Sequence, residues 1–180
     1  MNPTLRKLDG TPEQIAAMQG VCEASPGFIR NLFGRPLEGS EGYLLFHAPA
    51  PNKLEKLVYG VFLDSEMIGF CHTAHSHPLW TTIWLSLILI KKSYRNQGIG
   101  SEVLNQLEQL ISQAAPTSTI LLAELTDKGG SGRADRFWQR HGFNDTRNII
   151  EHKRLGLCGL SNHCRSKQTL SRSNWPGTIT

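Results

Sequence analysis

The chain has 180 residues, 39% of them hydrophobic and 19% charged, which is the composition of one globular domain with a single sizeable core. Its formal charge is +4, of which Arg165, Lys167 and Arg172 place +3 in the acid-free segment 155–180. The first 154 residues are therefore near neutral, and no nucleic-acid partner is expected from charge. No window approaches the roughly 18 uncharged apolar residues of a membrane span. No apolar stretch follows the basic pair Arg6–Lys7, so no leader is expected and the location expected is cytoplasmic. Cys22, Cys71, Cys158 and Cys164 lack paired spacing, so free thiols and no metal are expected.

In chain order, Thr4–Asp9 reads as a strand. Thr11-Pro12-Glu13-Gln14 then opens a helix, with threonine as cap, proline at the first turn and glutamine three residues after the cap. Ile15, Met18, Val21 and Cys22 give that helix one apolar face, and Ser25-Pro26-Gly27 breaks it. Phe28–Phe33 predicts a second short helix ended near Gly34, followed by an exposed loop over Arg35–Gly42. Three strands are expected next: Tyr43–His47, Leu57–Leu63 and Met67–Ala74, with Asp64-Ser65-Glu66 as turn chemistry. Thr82–Ile90 is apolar on both faces, the mark of a strand central to a sheet.

Beyond Gly98 and Gly100, the positions Val103, Leu104, Leu107, Leu110, Ile111 and Ala114 form one helical stripe that ends before Pro116. Ile120–Leu125 predicts a strand. Arg133–His141 predicts a helix closed by Gly142, and Phe143 opens a last strand to about Lys153. Antiparallel strands followed by β-α-β-α-β imply a mixed sheet with helices packed on it. The segment after Leu155, poor in apolar residues, is read as loop, disorder or a substitute for a missing terminal strand.

The chemistry concentrates where the central strand ends. Leu87-Ile88-Leu89-Ile90 runs into Lys91-Lys92-Ser93-Tyr94-Arg95-Asn96-Gln97-Gly98-Ile99-Gly100, so Arg-x-x-Gly-x-Gly opens an amphipathic helix. Glycines allow close backbone approach and positive φ. The free N–H groups and dipole of a helix start suit a pyrophosphate. The turn lacks the lysine of a Walker A loop and the third glycine of a dinucleotide fingerprint.

This segment resembles motif A of the GCN5-related N-acetyltransferases, the GNAT superfamily. A second match supports it. Ser131-Gly132-Arg133-Ala134-Asp135-Arg136-Phe137-Trp138-Gln139-Arg140-His141-Gly142-Phe143 is similar to the family's Asn-x-x-Ala-x-x-x-Tyr-x-x-x-Gly-Phe. The resemblance implies an α/β (α+β) GNAT fold over residues 1–154, with a mixed, mostly antiparallel sheet of about 6–7 strands and about four helices. Residues 155–180 would be an atypical basic tail.

The resemblance further implies acetyl-CoA as acyl donor. Its pyrophosphate would rest on the N–H groups of Arg95, Asn96, Gln97, Gly98, Ile99, Gly100 and Ser101, with charge from the Arg95 side chain. Its pantetheine would run beside Ile88, Leu89 and Ile90. Ser131, Ala134 and Phe137 would also border the cofactor. Two departures stand out: Ser131 replaces the family's asparagine, and Trp138 replaces the tyrosine that protonates the leaving thiolate, which an indole cannot do. Glu124, Asp127 and the histidines of Cys71-His72-Thr73-Ala74-His75-Ser76-His77, His75 among them, are the candidate bases.

The expected activity is acetyl transfer from acetyl-CoA to a primary amine, first of all on a small molecule. A protein N-terminal or lysine acetyltransferase, and an acyl-CoA-binding module without turnover, are the alternatives. Asn144–Lys153 has room for one good strand or a very tight pair where the family closes with a hairpin of two. The resulting sheet edge is expected to be covered by the folded-back tail or by a second copy of the chain in a homodimer.

Overall fold

The computed structural model describes residues 2–50, 54–75, 82–114, 119–125, 133–151 and 161–168. Its strands are β1 (Thr4–Lys7), β2 (Glu55–Leu63), β3 (Glu66–His75), β4 (Thr82–Ile90), β5 (Thr119–Leu125), β6 (Asn144–Glu151) and β7 (Ser161–Gln168). Its α-helices are α1 (Pro12–Glu23), α2 (Pro26–Phe33), α3 (Glu41–His47), α4 (Ile99–Ala114) and α5 (Arg133–Arg140). The sheet order is β1-β2-β3-β4-β5-β7-β6. Neighbours are antiparallel except β4 and β5.

The first helix starts as its sequence dictates. Thr11 Oγ1 accepts from the Gln14 N–H, and Gln14 Oε1 accepts from the N–H groups of Asp9, Gly10 and Thr11. Helix α2 and helix α5 both end on left-handed glycines, Gly34 and Gly142. On one side of the sheet Met18, Val21, Cys22 and Ile29 bury against Phe70, Leu87 and Leu89. On the other, Leu104, Leu107 and Ile111 of α4 join Trp138 and Phe143 over Ile83 and Leu85. Gln106 ties α4 to the first strand, accepting from the Leu5 N–H and donating to the Pro3 carbonyl.

Three expectations are corrected. Tyr43–His47 is helix, not strand, which makes five described helices where about four were expected. The cause is tertiary. Glu41, fully buried, accepts from the Glu38 and Gly39 N–H groups, from Arg35 at 2.8 Å and from Gln19. Gln19 also accepts from the Gly42 N–H, and a Cβ at Gly42 would lie 2.6 Å from the Gln19 nitrogen. A clamp between α1 and the start of α3 thus fixes a turn of helix that the apolar run Tyr43–Phe46 does not announce. The loop before it is correspondingly not free, since Glu41 and Gly42 are both buried. Leu110, assigned above to the apolar stripe of α4, is 40% exposed.

Ser161–Gln168, within the segment read as a tail, forms β7. It pairs antiparallel with β5 on one edge and with β6 on the other. The edge of β5 is thereby covered from within the chain.

Candidate active site

The site begins with a defect in the central strand. Across β3 and β4, His72 stands opposite Leu87 and Thr73 opposite Leu85, so Ser86 is one residue too many. Such a bulge bends the strand and reverses its side-chain alternation. Beyond it Ile88 and Ile90 face the α4 side, while Leu87 and Leu89 face α1 and α2. At the same place β4 parts from β5: their parallel ladder runs from Thr82–Thr119 to Leu85–Leu122 and stops. Strand β5 continues through Leu125 paired only to β7. The stretch Ser86–Ile90 therefore presents a strand edge that β5 does not satisfy.

At the end of that edge lies the glycine turn. A 3-10 turn, Lys92–Tyr94, leads to Asn96 and Gly98, both in the left-handed region at φ 62° and 79°. The N–H groups of Gly98, Ile99 and Gly100 meet no acceptor among the described residues, whereas those of Ser101 and Glu102 turn back to the Gly98 carbonyl. A Cβ at Gly98 would meet nothing within 4 Å, so the space beside the turn is open at that point. A Cβ at Gly100 would instead lie 3.4 Å from the Phe137 ring, so helix α5 closes the back of the turn. N–H groups without an acceptor at the positive end of a 16-residue helix fit a pyrophosphate, and a free strand edge beside them fits an amide-bearing chain.

The Arg95 side chain, expected to lend charge to the pyrophosphate, is engaged within the chain. Its Nε donates to the Ile90 carbonyl at 2.7 Å and its Nη2 to Ser25 Oγ at 2.8 Å. The guanidinium braces the turn against the junction of α1 and α2. Its pKa is lowered by burial. Lys91 is likewise engaged, with Nζ 2.6 Å from Glu66, a carboxylate that also accepts from Tyr94.

The candidate bases do not converge. His72 and His75 are both buried, on opposite faces of β3. Nε2 of His72 has no hydrogen-bond partner among the described residues, and burial, with Lys56 nearby, pushes its pKa down to about 3. It is neutral and a feeble base. His75 Nε2 lies 3.8 Å from the Glu55 carboxylate. His77, Asp127 and Ser131 lie outside the described residues. Glu124 sits on β5 two residues past the end of the β4 ladder, in register with His163 of β7.

Trp138, placed by the sequence at the departing thiolate, is a core residue. It is buried among Ile83, Leu85 and Leu104, edge-on to Phe137 and Phe143. Ala134 is exposed and Phe137 half-buried on the same helix. Nothing local in the sequence marks the bulge at Ser86, the Ser25 brace, or the 2.9 Å contact between Ser101 Oγ and His141 Nε2. Only Arg-x-x-Gly-x-Gly carried a local signal.

A mixed sheet whose central strands splay beside a glycine-started helix defines an acyl-CoA-dependent acyltransferase fold. Residues 55–145, just over half the chain, match the family model described as an acetyltransferase (GNAT) domain. The chain belongs to this family and is an acetyl-CoA-dependent acetyltransferase. No curated protein matches it in sequence.

Among solved structures it is similar to the PaiA N-acetyltransferase of Thermoplasma acidophilum in complex with coenzyme A, at 20% identity and TM-score 0.63, covering 93% of this chain and 99% of that one. It is similar also to Ard1 of Thermoplasma volcanium, at 17% identity and TM-score 0.62, with coverages of 95% and 100%. A third, from Salmonella typhimurium, is an acetyltransferase that modifies the N-terminal serine of a 50S ribosomal subunit protein. It shows 16% identity and TM-score 0.68, with coverages of 93% and 95%. No cluster of three metal-ligating side chains occurs among the described residues, and no described helix is long and apolar enough to cross a membrane.

Proposed function

We propose that this acetyltransferase moves acetyl directly from acetyl-CoA to a primary amine, and that the amine is the N-terminus of a polypeptide. The observation that carries direct transfer is the parting of β4 from β5 after Leu85 and Leu122, beside the open turn at Gly98. Acetyl-CoA supplies an activated thioester. The chain supplies the rest. The N–H groups of Gly98–Gly100 hold the phosphates, and the free edge of Ser86–Ile90 aligns the pantetheine arm and offers an N–H to the thioester oxygen. Glu124, beside the gap, takes the proton that an ammonium must lose before it attacks. A thiol of pKa about 8.5 leaves without an acid at position 138.

The polypeptide acceptor is supported by the Salmonella neighbour, which is named for such a substrate. The second reading, a small-molecule amine, rests on the sequence alone. Thiol release from acetyl-CoA, measured against short peptides with free N-termini, Nα-blocked lysine peptides and a panel of polyamines and aminoglycosides, tests both. Turnover confined to free N-termini is expected. Turnover only on the small amines overturns the acceptor, and no turnover on any amine overturns direct N-acetyl transfer.

A further inference from the structure

Helix α5 meets the glycine turn twice: the Phe137 ring lies against Gly100, and His141 Nε2 lies 2.9 Å from Ser101 Oγ. Ser101 is in the first turn of α4, where side chains lean back toward the helix start and so toward the open N–H groups of Gly98–Gly100. A serine hydroxyl has one proton to give and two lone pairs to accept with. If His141 Nε2 holds the lone pair, the Ser101 proton is spent on histidine. If Nε2 carries the hydrogen, Ser101 Oγ accepts it and its own proton is released to point at an anion. The Phe137 ring, 4.7 Å from the imidazole at ring centroids, restricts the plane in which His141 can turn.

We infer that His141 is a positioning residue for the phosphate cradle, acting through Ser101 as a hydrogen-bond relay in which Nε2–H donates to Ser101 Oγ and Ser101 Oγ–H donates to a pyrophosphate oxygen of coenzyme A. The inference rests on the reading of the turn as the coenzyme A cradle, and it is independent of the acceptor amine. It adds a directed donor to the backbone N–H groups.

The test is calorimetric titration of the full chain with coenzyme A, for the wild type, Ser101→Ala, His141→Ala and the double variant. His141→Gln is the conservative rescue, since a glutamine amide places a donor near Nε2. Each single variant is expected to weaken coenzyme A about tenfold or more, as suits one donor to a charged acceptor. The double variant is expected to be no weaker than either single one, because the two side chains act as one unit. His141→Gln should stay within twofold of wild type, which a loss of packing would not allow.

An unchanged affinity in His141→Ala, or losses that multiply in the double variant, overturns the relay while leaving the cradle and the transfer reaction intact. A wild type that fails to bind coenzyme A overturns relay and cradle together. Should His141→Ala fail to fold, Ser101→Ala and His141→Gln still decide: affinity unchanged in Ser101→Ala, or a fivefold loss in His141→Gln, sinks the relay.

Discussion

Leu85 and Ile88, three residues apart on β4, lie on the same face of the sheet, toward α4. In a regular strand an odd spacing puts side chains on opposite faces. Ser86 is the surplus residue that reconciles them, and it falls where β4 parts from β5. The bend of the strand and the opening of the cleft are thus one event. Removing Ser86 keeps every neighbouring side chain on its present face, because Leu85, Leu87, Ile88, Leu89 and Ile90 then alternate without interruption. The expected outcome of the deletion is a chain that still melts cooperatively but binds acetyl-CoA at least tenfold more weakly, read by thermal denaturation and calorimetry together.

Gly98 tests the cradle from its backbone. At φ 79° an alanine is strained, and its methyl projects into the open space in front of the turn. Gly98→Ala should cost about 1 kcal/mol of stability. On the reading of the turn as the phosphate cradle, it should weaken coenzyme A far more than that strain implies, since the added carbon takes up part of the open space beside the N–H groups. Equal affinity for the two proteins in a titration would show that the ligand lies elsewhere.

Trp138→Tyr separates core from chemistry. The indole is 8% exposed and packed on Phe137 and Phe143, so the smaller ring should cost about 1–3 kcal/mol in a denaturation experiment. Restoring the family's tyrosine should raise kcat less than twofold, because the side chain at this position is packed in the core. A large gain in kcat would place position 138 at the leaving group after all.

The parts of this architecture that the sequence announces are those whose physics is local. The capping box at Thr11 and Gln14, the glycine turn, and the stops at Gly34 and Gly142 each depend on a few adjacent residues. Helix α3 is not legible because Tyr43–Phe46 is a short apolar run that serves a strand or a helix equally. What decides it is Glu41, clamped by Arg35 and Gln19. The bulge at Ser86 was illegible for a related reason: a strand apolar on both faces conceals a change of phase. Strand β7, with the sequence Ser-Asn-His-Cys-Arg-Ser-Lys-Gln, carries no strand pattern of its own. It is held by the backbone edges of β5 and β6. For the same reason the sequence could name Glu124 but not its register partner His163.

Two buried groups set the response to acid, and their windows differ. Burial and the Lys56 charge push His72 from its ordinary value of 6.5 down to about 3. The unfolded chain therefore takes up a proton below pH 6.5 that the folded chain refuses, and stability falls from there toward pH 3. Burial alone would raise the Glu41 carboxyl, but its hydrogen bonds from the Glu38 N–H, Arg35, its own N–H and Gln19 outweigh it and hold the group at about 2 rather than 4.5. Its contribution is complete above pH 4.5 and is lost as pH falls toward 2. His72→Leu should thus flatten the upper part of the stability curve only. Glu41→Gln should flatten the lower part, and at neutral pH it should cost about 3 kcal/mol by breaking a buried ion pair. Urea midpoints between pH 7 and 3 check both; a curve that His72→Leu leaves unchanged above pH 4.5 would dismiss the histidine.

The last prediction concerns the proton that must leave the amine. Of the candidate bases, His72 is pushed too far down to serve, and His75 is 1% exposed beside Glu55. Glu124 alone among the described candidates sits past the last β4–β5 pair, on the stretch of β5 that borders the gap. Glutamine has the same shape and accepts a hydrogen bond but no proton, so Glu124→Gln should leave the fold and the affinity for coenzyme A within twofold of wild type. Its kcat should fall about a hundredfold, the lower end of what general-base catalysis contributes. The loss should shrink as pH rises, because a growing share of the amine then arrives already deprotonated. A pH–rate comparison of the two proteins on one peptide checks this. A loss that is the same at every pH would mean that Glu124 positions the substrate and that water, or a group outside the described residues, takes the proton.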